Sequence, residues 1–572
     1  MKLFIIFTVL FLAFSGCDDT SSAENNNNLN NSNNSNNSNN INNDAGPDAD
    51  GGSDDCSEHA FTDVMIPTSD GYELSAFVRK PLNPDCRLPT ILIQTPYNKE
   101  NARSIWFLFG GEPLFDSRDY NFVVMDWRGF FGSAGVPVSN DRDLGYDGAD
   151  AVDWITAQDW SDGKVGTWGV SALCKIQYQT AQIKPSGLKA MVPIFCGMNQ
   201  TWEEHYPGGV LRREYINFME MYYGVSASVY EAHPYRDTLW AWLEGQYSYT
   251  KVEAPSLVVA GWYDLNNKGG IGDWLSLRTQ SAQAVRDKHQ LLIGPWIHQA
   301  TGGETSMGRP LTDQEKKYVD SSKIIQERSL AFFNVHLREI GESQAQKVEY
   351  IVDNETTPRF SDTWPPTVNT QVVYLRENTL SDEAPTTETD RVFSSDPDDP
   401  SPTIGGQTLM GNYHHGPQYL DEIIARSDSL VYESSVAPGF IVGGEVVVTL
   451  EIETDVPDTD IAVRITAVDP QGRHLLIAEG IQRLKLRDSN STPSLLTAAQ
   501  LYTVNIKAVN HHGYAFPAGW RLGLIITGSN FERFDVNPNT GNDFLSEAPA
   551  PAVSTTTIYA GGISSITFST VE

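Results

Sequence analysis

The sequence predicts an α/β fold carrying a small helical cap and a C-terminal all-β jelly roll. Three observations predict it. Over residues 56–197 and 251–345, short apolar runs alternate with helical patterns, which implies a mainly parallel sheet. An aromatic-rich stretch at 198–250 interrupts that alternation and reads as short helices inserted between core strands. From 346 to 572, short alternating runs separated by Gly, Pro, Asn and Asp replace it, as in a sandwich or jelly roll.

The chain has 572 residues, enough for two or three domains. Its 73 acidic and 40 basic side chains give a formal charge of −33, which would repel phosphate, so no nucleic acid partner is expected. The charge itself reads as solubility.

The first residues read as targeting rather than fold. Met1-Lys2 precede an apolar run, Leu3 to Phe14, too short to span a membrane as a helix. Ser15-Gly16-Cys17 follows and resembles a bacterial lipoprotein cleavage site. Residues 1–16 are thus expected to be a signal peptide and Cys17 a lipidated first residue, with an ordinary secretory signal as the alternative. Residues 17–55, rich in Asn and Ser and then in Asp and Gly, cannot bury a core and read as a disordered tether of roughly 35 Å. The expected location is the bacterial cell envelope, periplasmic side or cell surface, with the membrane contacted only through the N-terminal lipid.

Cys56 and Cys86 bracket the first strands, and Cys174 and Cys196 bracket a later helix. In an oxidising compartment the expected disulfides are 56–86 and 174–196, with buried free thiols as the alternative. No Cys-x-x-Cys or His pair at ligand spacing accompanies them, so no metal is expected.

Along the core, His59 to Pro67 and Tyr72 to Lys80 read as a hairpin joined at Ser69-Asp70-Gly71. Pro89 to Thr95, Asn121 to Met125 and Leu188 to Ile194 read as buried strands. Asp147 to Gln158 has helical spacing, and helices are expected near 270–286 and 313–340.

The chemistry centres on Val165-Gly166-Thr167-Trp168-Gly169-Val170-Ser171-Ala172-Leu173-Cys174, a strand running through a sharp turn into a helix. Such a turn lifts a serine hydroxyl over the sheet edge and aims the next backbone N–H, that of Ala172, at a developing oxyanion. Asp264 ends an apolar run at Gly261-Trp262-Tyr263-Asp264, and His298 ends another at Gly294-Pro295-Trp296-Ile297-His298. Ends of parallel strands share one edge, so Ser171, Asp264 and His298 can converge. Their order is that of an α/β-hydrolase core.

With these residues in hand, the chain resembles the cocaine-esterase-like (CocE/NonD) family, which also holds α-amino acid ester hydrolases, glutaryl acylases and X-Pro dipeptidyl-peptidases. The resemblance runs over about residues 57 to 572. It rests on Asp70-Gly71, Thr95-Pro96-Tyr97, Asp126-Trp127-Arg128-Gly129, Gln158-Asp159-Trp160, the Ser171 elbow, the Asp264 and His298 motifs, Trp364-Pro365-Pro366 and Asn537-Pro538-Asn539-Thr540-Gly541. It implies a hydrolase core, a helical cap and a C-terminal jelly roll. It also implies Ser171 as nucleophile, His298 as general base and acid, Asp264 as orienting carboxylate, and Tyr97 as oxyanion donor beside the Ala172 N–H.

Two positions depart from the family pattern. The elbow reads Ser171-Ala172-Leu173-Cys174 where Ser-Tyr-x-Gly is frequent. Asn266 and Asn267 stand where amino acid ester hydrolases carry carboxylates for an ammonium group, which argues against free α-amino substrates. The main expectation is a serine hydrolase of carboxylic esters acting through an acyl-enzyme, on a small-molecule substrate and without metal or organic cofactor. Amidase, acylase or dipeptidyl-peptidase chemistry on the same triad is the alternative. An inactive hydrolase fold serving as a surface binding protein is a second. Asp126 and Arg128 are expected to hold a core loop through a mutual ion pair.

Overall fold

The computed structural model describes residues 56–572 apart from 109–112, 139–142, 299–304, 307–308, 320–321, 367, 387–388, 411, 436–440, 548, 561 and 572. The expected signal peptide, the expected lipidation at Cys17 and the expected tether lie outside the described residues.

A ten-stranded sheet forms the core. Its strands are β1 (His59–Pro67), β2 (Glu73–Pro81), β3 (Leu88–Thr95), β4 (Asn121–Asp126), β5 (Ser161–Val170), β6 (Leu188–Ile194), β7 (Leu257–Tyr263) and β8 (Gln290–Ile297). After a two-residue hairpin, β9 (Thr305–Ser306) and β10 (Arg309–Pro310), the sheet is completed by β11 (Val348–Tyr350) and β12 (Arg359–Ser361). The spatial order is β1-β2-β4-β3-β5-β6-β7-β8-β11-β12. Gly71 at φ +87° makes the β1–β2 turn, where Thr68 and Tyr72 close the loop with a 2.8 Å backbone bond. From β4 through β8 and β11 the ladders are parallel. Strands β4 and β7 are buried along their whole length, because helices cover both faces.

Those helices follow from local signals. Helix α2 (Leu144–Thr156), after α1 (Lys99–Leu108), is capped by Asp143, whose carboxylate accepts from Gly145 N at 2.7 Å; it therefore starts three residues before the stretch expected from spacing alone. Helix α3 (Ala172–Ile183) follows β5. The cap holds α4 (Trp202–His205), α5 (Arg213–Tyr223), α6 (Ala227–Glu231) and α7 (Thr238–Glu244). Helix α8 (Asn267–Gln280) returns to the core. The helix expected near 313–340 is two pieces, α9 (Asp313–Lys316), started by a Thr312–Glu315 capping box, and α10 (Ser322–Leu337). Phe333 and Leu337 of α10 fill the space over Gly166, where a Cβ would sit 2.6 Å from the Phe333 ring.

The second sheet has twelve strands among the described residues and is almost wholly antiparallel. Its axis is Ile441–Thr454, paired with four other strands, and its core is aliphatic, including Val448, Leu450, Val463, Leu524 and Ile566. Two findings correct the reading from sequence. Strands β11 and β12 belong to the hydrolase sheet, with Val348 opposite Leu291, so that sheet runs past residue 345. Arg128 does not pair with Asp126. Its guanidinium holds Asp147 at 2.8 and 2.7 Å and Asp70 at 3.0 Å, while Asp126 accepts from the backbone N–H of Lys99 and Gly132. Asp126 is the last residue of β4 and Arg128 lies in the turn that follows, so the two side chains diverge and each finds its partner elsewhere in the fold.

Candidate active site

Four strands of one parallel sheet deliver the candidate residues. Tyr97 lies just past β3, Ser171 follows β5, Asp264 follows β7 and His298 follows β8, all at the carboxyl edge.

Ser171 has φ 60° and ψ −116°, a region costly for a side-chain-bearing residue. Neighbours over-determine it. Its N–H donates to Ile194 O at 2.9 Å, and its carbonyl accepts from Cys174 N at 2.9 Å and Lys175 N at 3.1 Å. Glycine is required at 169, since a Cβ there would meet the Leu173 Cβ at 2.4 Å. Ala172 is the first residue of α3, so its N–H has no partner within the helix. The Cys174–Cys196 disulfide ties that helix to the end of β6, and Cys56–Cys86 ties the N-terminus of the described chain to the loop before β3.

Asp264 is fully buried, and its Oδ2 lies 2.5 Å from His298 Nδ1. Its Oδ1 accepts from Asn266 N at 2.7 Å, so both carboxylate oxygens are engaged. With Nδ1 on the acid, Nε2 is the imidazole nitrogen left for a reacting group. The Phe195 ring lies 6.3 Å from that of His298.

Tyr97 keeps 37 % of its surface exposed, and its hydroxyl lies 2.9 Å from that of Tyr223 on the cap helix α5. Burial raises its pKa, while hydrogen bonding with Tyr223 and with Ser171 lowers it.

The departures noted in the sequence have structural roles. Asn266 Nδ2 donates to Phe195 O at 3.0 Å, and Asn267 Nδ2 donates to Gly261 O at 2.8 Å, so both buried amides are turned into the loop. Most cap aromatics pack one another: Trp202, Tyr206, Tyr215, Phe218, Tyr230 and Trp240 share one cluster. His205 stacks on Tyr230 at 5.0 Å, its pKa lowered by burial. His233 pairs with Asp237 at 2.5 Å.

Sequence reasoning missed two groups at this site. Asn510 of the β domain donates through Nδ2 to the Asp264 carbonyl at 2.7 Å, and the next residue, His511, donates its N–H to Asn267 Oδ1 at 2.9 Å. Tyr223 is the other. Neither sits in a motif; Asn510 lies 246 residues from Asp264 along the chain.

The chain matches the family model for the X-Pro dipeptidyl-peptidase (S15 family) over residues 70–230, and that for the X-Pro dipeptidyl-peptidase C-terminal non-catalytic domain over 342–563. It is 29% identical over 552 residues to a cocaine esterase of Rhodococcus sp. (strain MB1 Bresler), covering 84% of this chain and 92% of that protein. In fold it is similar to an aminopeptidase from a marine sediment Thaumarchaeota archaeon, with TM-score 0.75, 19% identity and coverage of 92% and 98% of the two chains. An α-amino acid ester hydrolase aligns with TM-score 0.68, 19% identity and coverage of 91% and 97%. Fold and relatives together define a serine hydrolase of the α/β-hydrolase class with an appended all-β domain. Within that class, the chain is similar to the cocaine-esterase-like (CocE/NonD) family.

Proposed function

We propose that this protein hydrolyses carboxylic esters of small molecules through an acyl-enzyme formed on Ser171. The observation that carries the reading is the 2.5 Å pair of His298 Nδ1 and the buried Asp264, on the same sheet edge as the strained Ser171 elbow. His298 Nε2 takes the Ser171 proton as Oγ attacks the ester carbonyl. Tyr97 O–H and Ala172 N–H donate to the tetrahedral oxyanion. The imidazolium then protonates the leaving alcohol. Water, deprotonated by the same nitrogen, releases the acid.

The match to an X-Pro dipeptidyl-peptidase family favours amide bonds as a second reading. Against N-terminal ammonium recognition stands the inward orientation of Asn266 and Asn267, which offer no counter-charge at those positions. Turnover of p-nitrophenyl butyrate beside alanyl-prolyl-p-nitroanilide separates the two. Ester turnover that falls on the order of 10⁶-fold in Ser171→Ala supports the assignment. Equal turnover by both variants would reject it and bring forward the surface-binding reading.

The location belongs to the same proposal. Lipid on Cys17 and the following tether would hold the enzyme at a membrane of the cell envelope, on the periplasmic side or at the surface. Cys17→Ser is then expected to move the protein from the membrane to the soluble fraction.

A further inference from the structure

Tyr97 is held loosely by its own strand. Its backbone N–H donates to Thr95 Oγ1 at 2.9 Å, and the next residue, Asn98, turns at φ 72°. The ring is partly exposed, and a phenol has one proton to place. A productive oxyanion donor must aim that proton at the reacting carbonyl before the charge develops. The Tyr97–Tyr223 contact decides where it points.

We propose that Tyr223, at the end of cap helix α5, is a positioning residue that donates its hydroxyl proton to Tyr97 and so leaves the Tyr97 proton for the oxyanion. This rests on the hydrolase reading above. Of two hydroxyls 2.9 Å apart, one donates and the other accepts. Tyr97 has a single proton, so when that proton is aimed at the oxyanion only the Tyr223 proton remains to bridge the pair. A hydroxyl that accepts a bond also donates more strongly, because the two bonds polarise each other.

The helix that carries Tyr223 is anchored at its start, which sets where its last residue lies. At its start, Arg213 grips Asp535 of the β domain with bonds of 2.7 and 2.6 Å. Glu214, fully enclosed beside it, accepts from Leu409 N and Met410 N at 2.5 Å. At its end, Gly224 closes the helix at φ 65°, and Tyr223 packs edge-on against Phe218 at 6.1 Å. The cap thus acts as a bracket between the β domain and the oxyanion side of the site.

The test is a double-mutant cycle on p-nitrophenyl butyrate with the full chain: Tyr97→Phe, Tyr223→Phe and the double variant. Tyr223→Phe is expected to lower kcat about 3- to 10-fold with KM changed less than about twofold, the size of one net hydrogen bond. The double variant should be no slower than Tyr97→Phe, since Tyr223 acts only through Tyr97. Equal losses from Tyr223→Phe in both backgrounds, a change in KM alone, or no loss at all would overturn the proposal. If Tyr97→Phe slows the enzyme but Tyr223→Phe does not, the inference falls and the hydrolase reading stands. If Tyr97→Phe leaves kcat intact, the oxyanion assignment falls and takes the inference with it. Tyr223→Leu, which removes the ring as well, separates lost packing from the lost hydroxyl: a further drop in melting temperature without a further drop in kcat supports the hydroxyl role, and restored kcat overturns it.

Discussion

The two sides of the site are built by opposite means. On the sheet edge, Ser171, Asp264, His298 and Tyr97 each follow a parallel strand. Three have supports within a few residues, the Ser171 carbonyl from α3, Asp264 from Asn266 N and Tyr97 N from Thr95, and His298 is held by Asp264. The supports come from elsewhere in the chain. Asn510 and His511 reach the acid loop from the β domain, and Tyr223 reaches Tyr97 from a cap itself clamped to that domain. Groups proposed to make and break bonds are placed by the sheet, and groups that aim them are placed by packing between domains. The difference teaches that the β domain, although non-catalytic in its family description, is expected to bear on rate.

That comparison can be broken at either side. The largest losses should come from the sheet edge. Asp264→Asn removes the acceptor that fixes the His298 tautomer and is expected to cut kcat about 10⁴-fold, read by steady-state kinetics. Tyr97→Phe removes one oxyanion donor and should cost about 10²- to 10³-fold in kcat with little change in KM. Losses of equal size from Asn510→Ala would dissolve the distinction between the two sides. We expect instead about tenfold, because one net hydrogen bond to the Asp264 carbonyl is lost and the loop can partly recover.

Smaller effects sharpen the account of what holds the scaffold. Opening the Cys174–Cys196 bridge by Cys→Ala at both positions should destabilise the protein by about 3 kcal/mol, given a sequence separation of 22, as measured by denaturant titration. His289 is buried between Ser256 N at 3.1 Å and Ser281 Oγ at 2.9 Å, and burial lowers its pKa to about 3. A histidine whose folded pKa is lowered binds fewer protons folded than unfolded. Its contribution is therefore complete above pH 6.5 and declines as pH falls toward 3. Asp273 and Asp353, raised by burial to about 7 and about 6, act in the opposite sense and cost stability as pH rises from about 4. His289→Asn should flatten the acid side of the melting-temperature profile. An unchanged slope would place that acid sensitivity elsewhere.

Much of this was legible before any coordinates. Ser171 in its strand-turn-helix motif, followed by Asp264 and His298 after apolar runs, marks a parallel sheet with one polar edge, because a strand buried on both faces is apolar and its polar terminus stands out. The cysteine pairs each span two successive elements, β1 with β2 and α3 with β6, so their partners were close in sequence. The partner of Arg128 was not legible. Nothing in a sequence separates an ion pair with Asp126, two residues away, from one with Asp147 across a turn, and only the assembled loop chooses.

By itself, then, the sequence pointed to the α/β core, the inserted cap, the trailing β domain and Ser171, Asp264 and His298 at strand ends, since each follows from periodicity or short motifs acting over a few residues, whereas Tyr97 came from the family resemblance. Tertiary structure alone decided that β11 and β12 close the hydrolase sheet, that Asn266 and Asn267 turn inward, and that Asn510 and Tyr223 meet the site. These are contacts between residues separated by up to 246 positions. Their energies depend on burial and on hydrogen-bond geometry that exist only once the domains have packed.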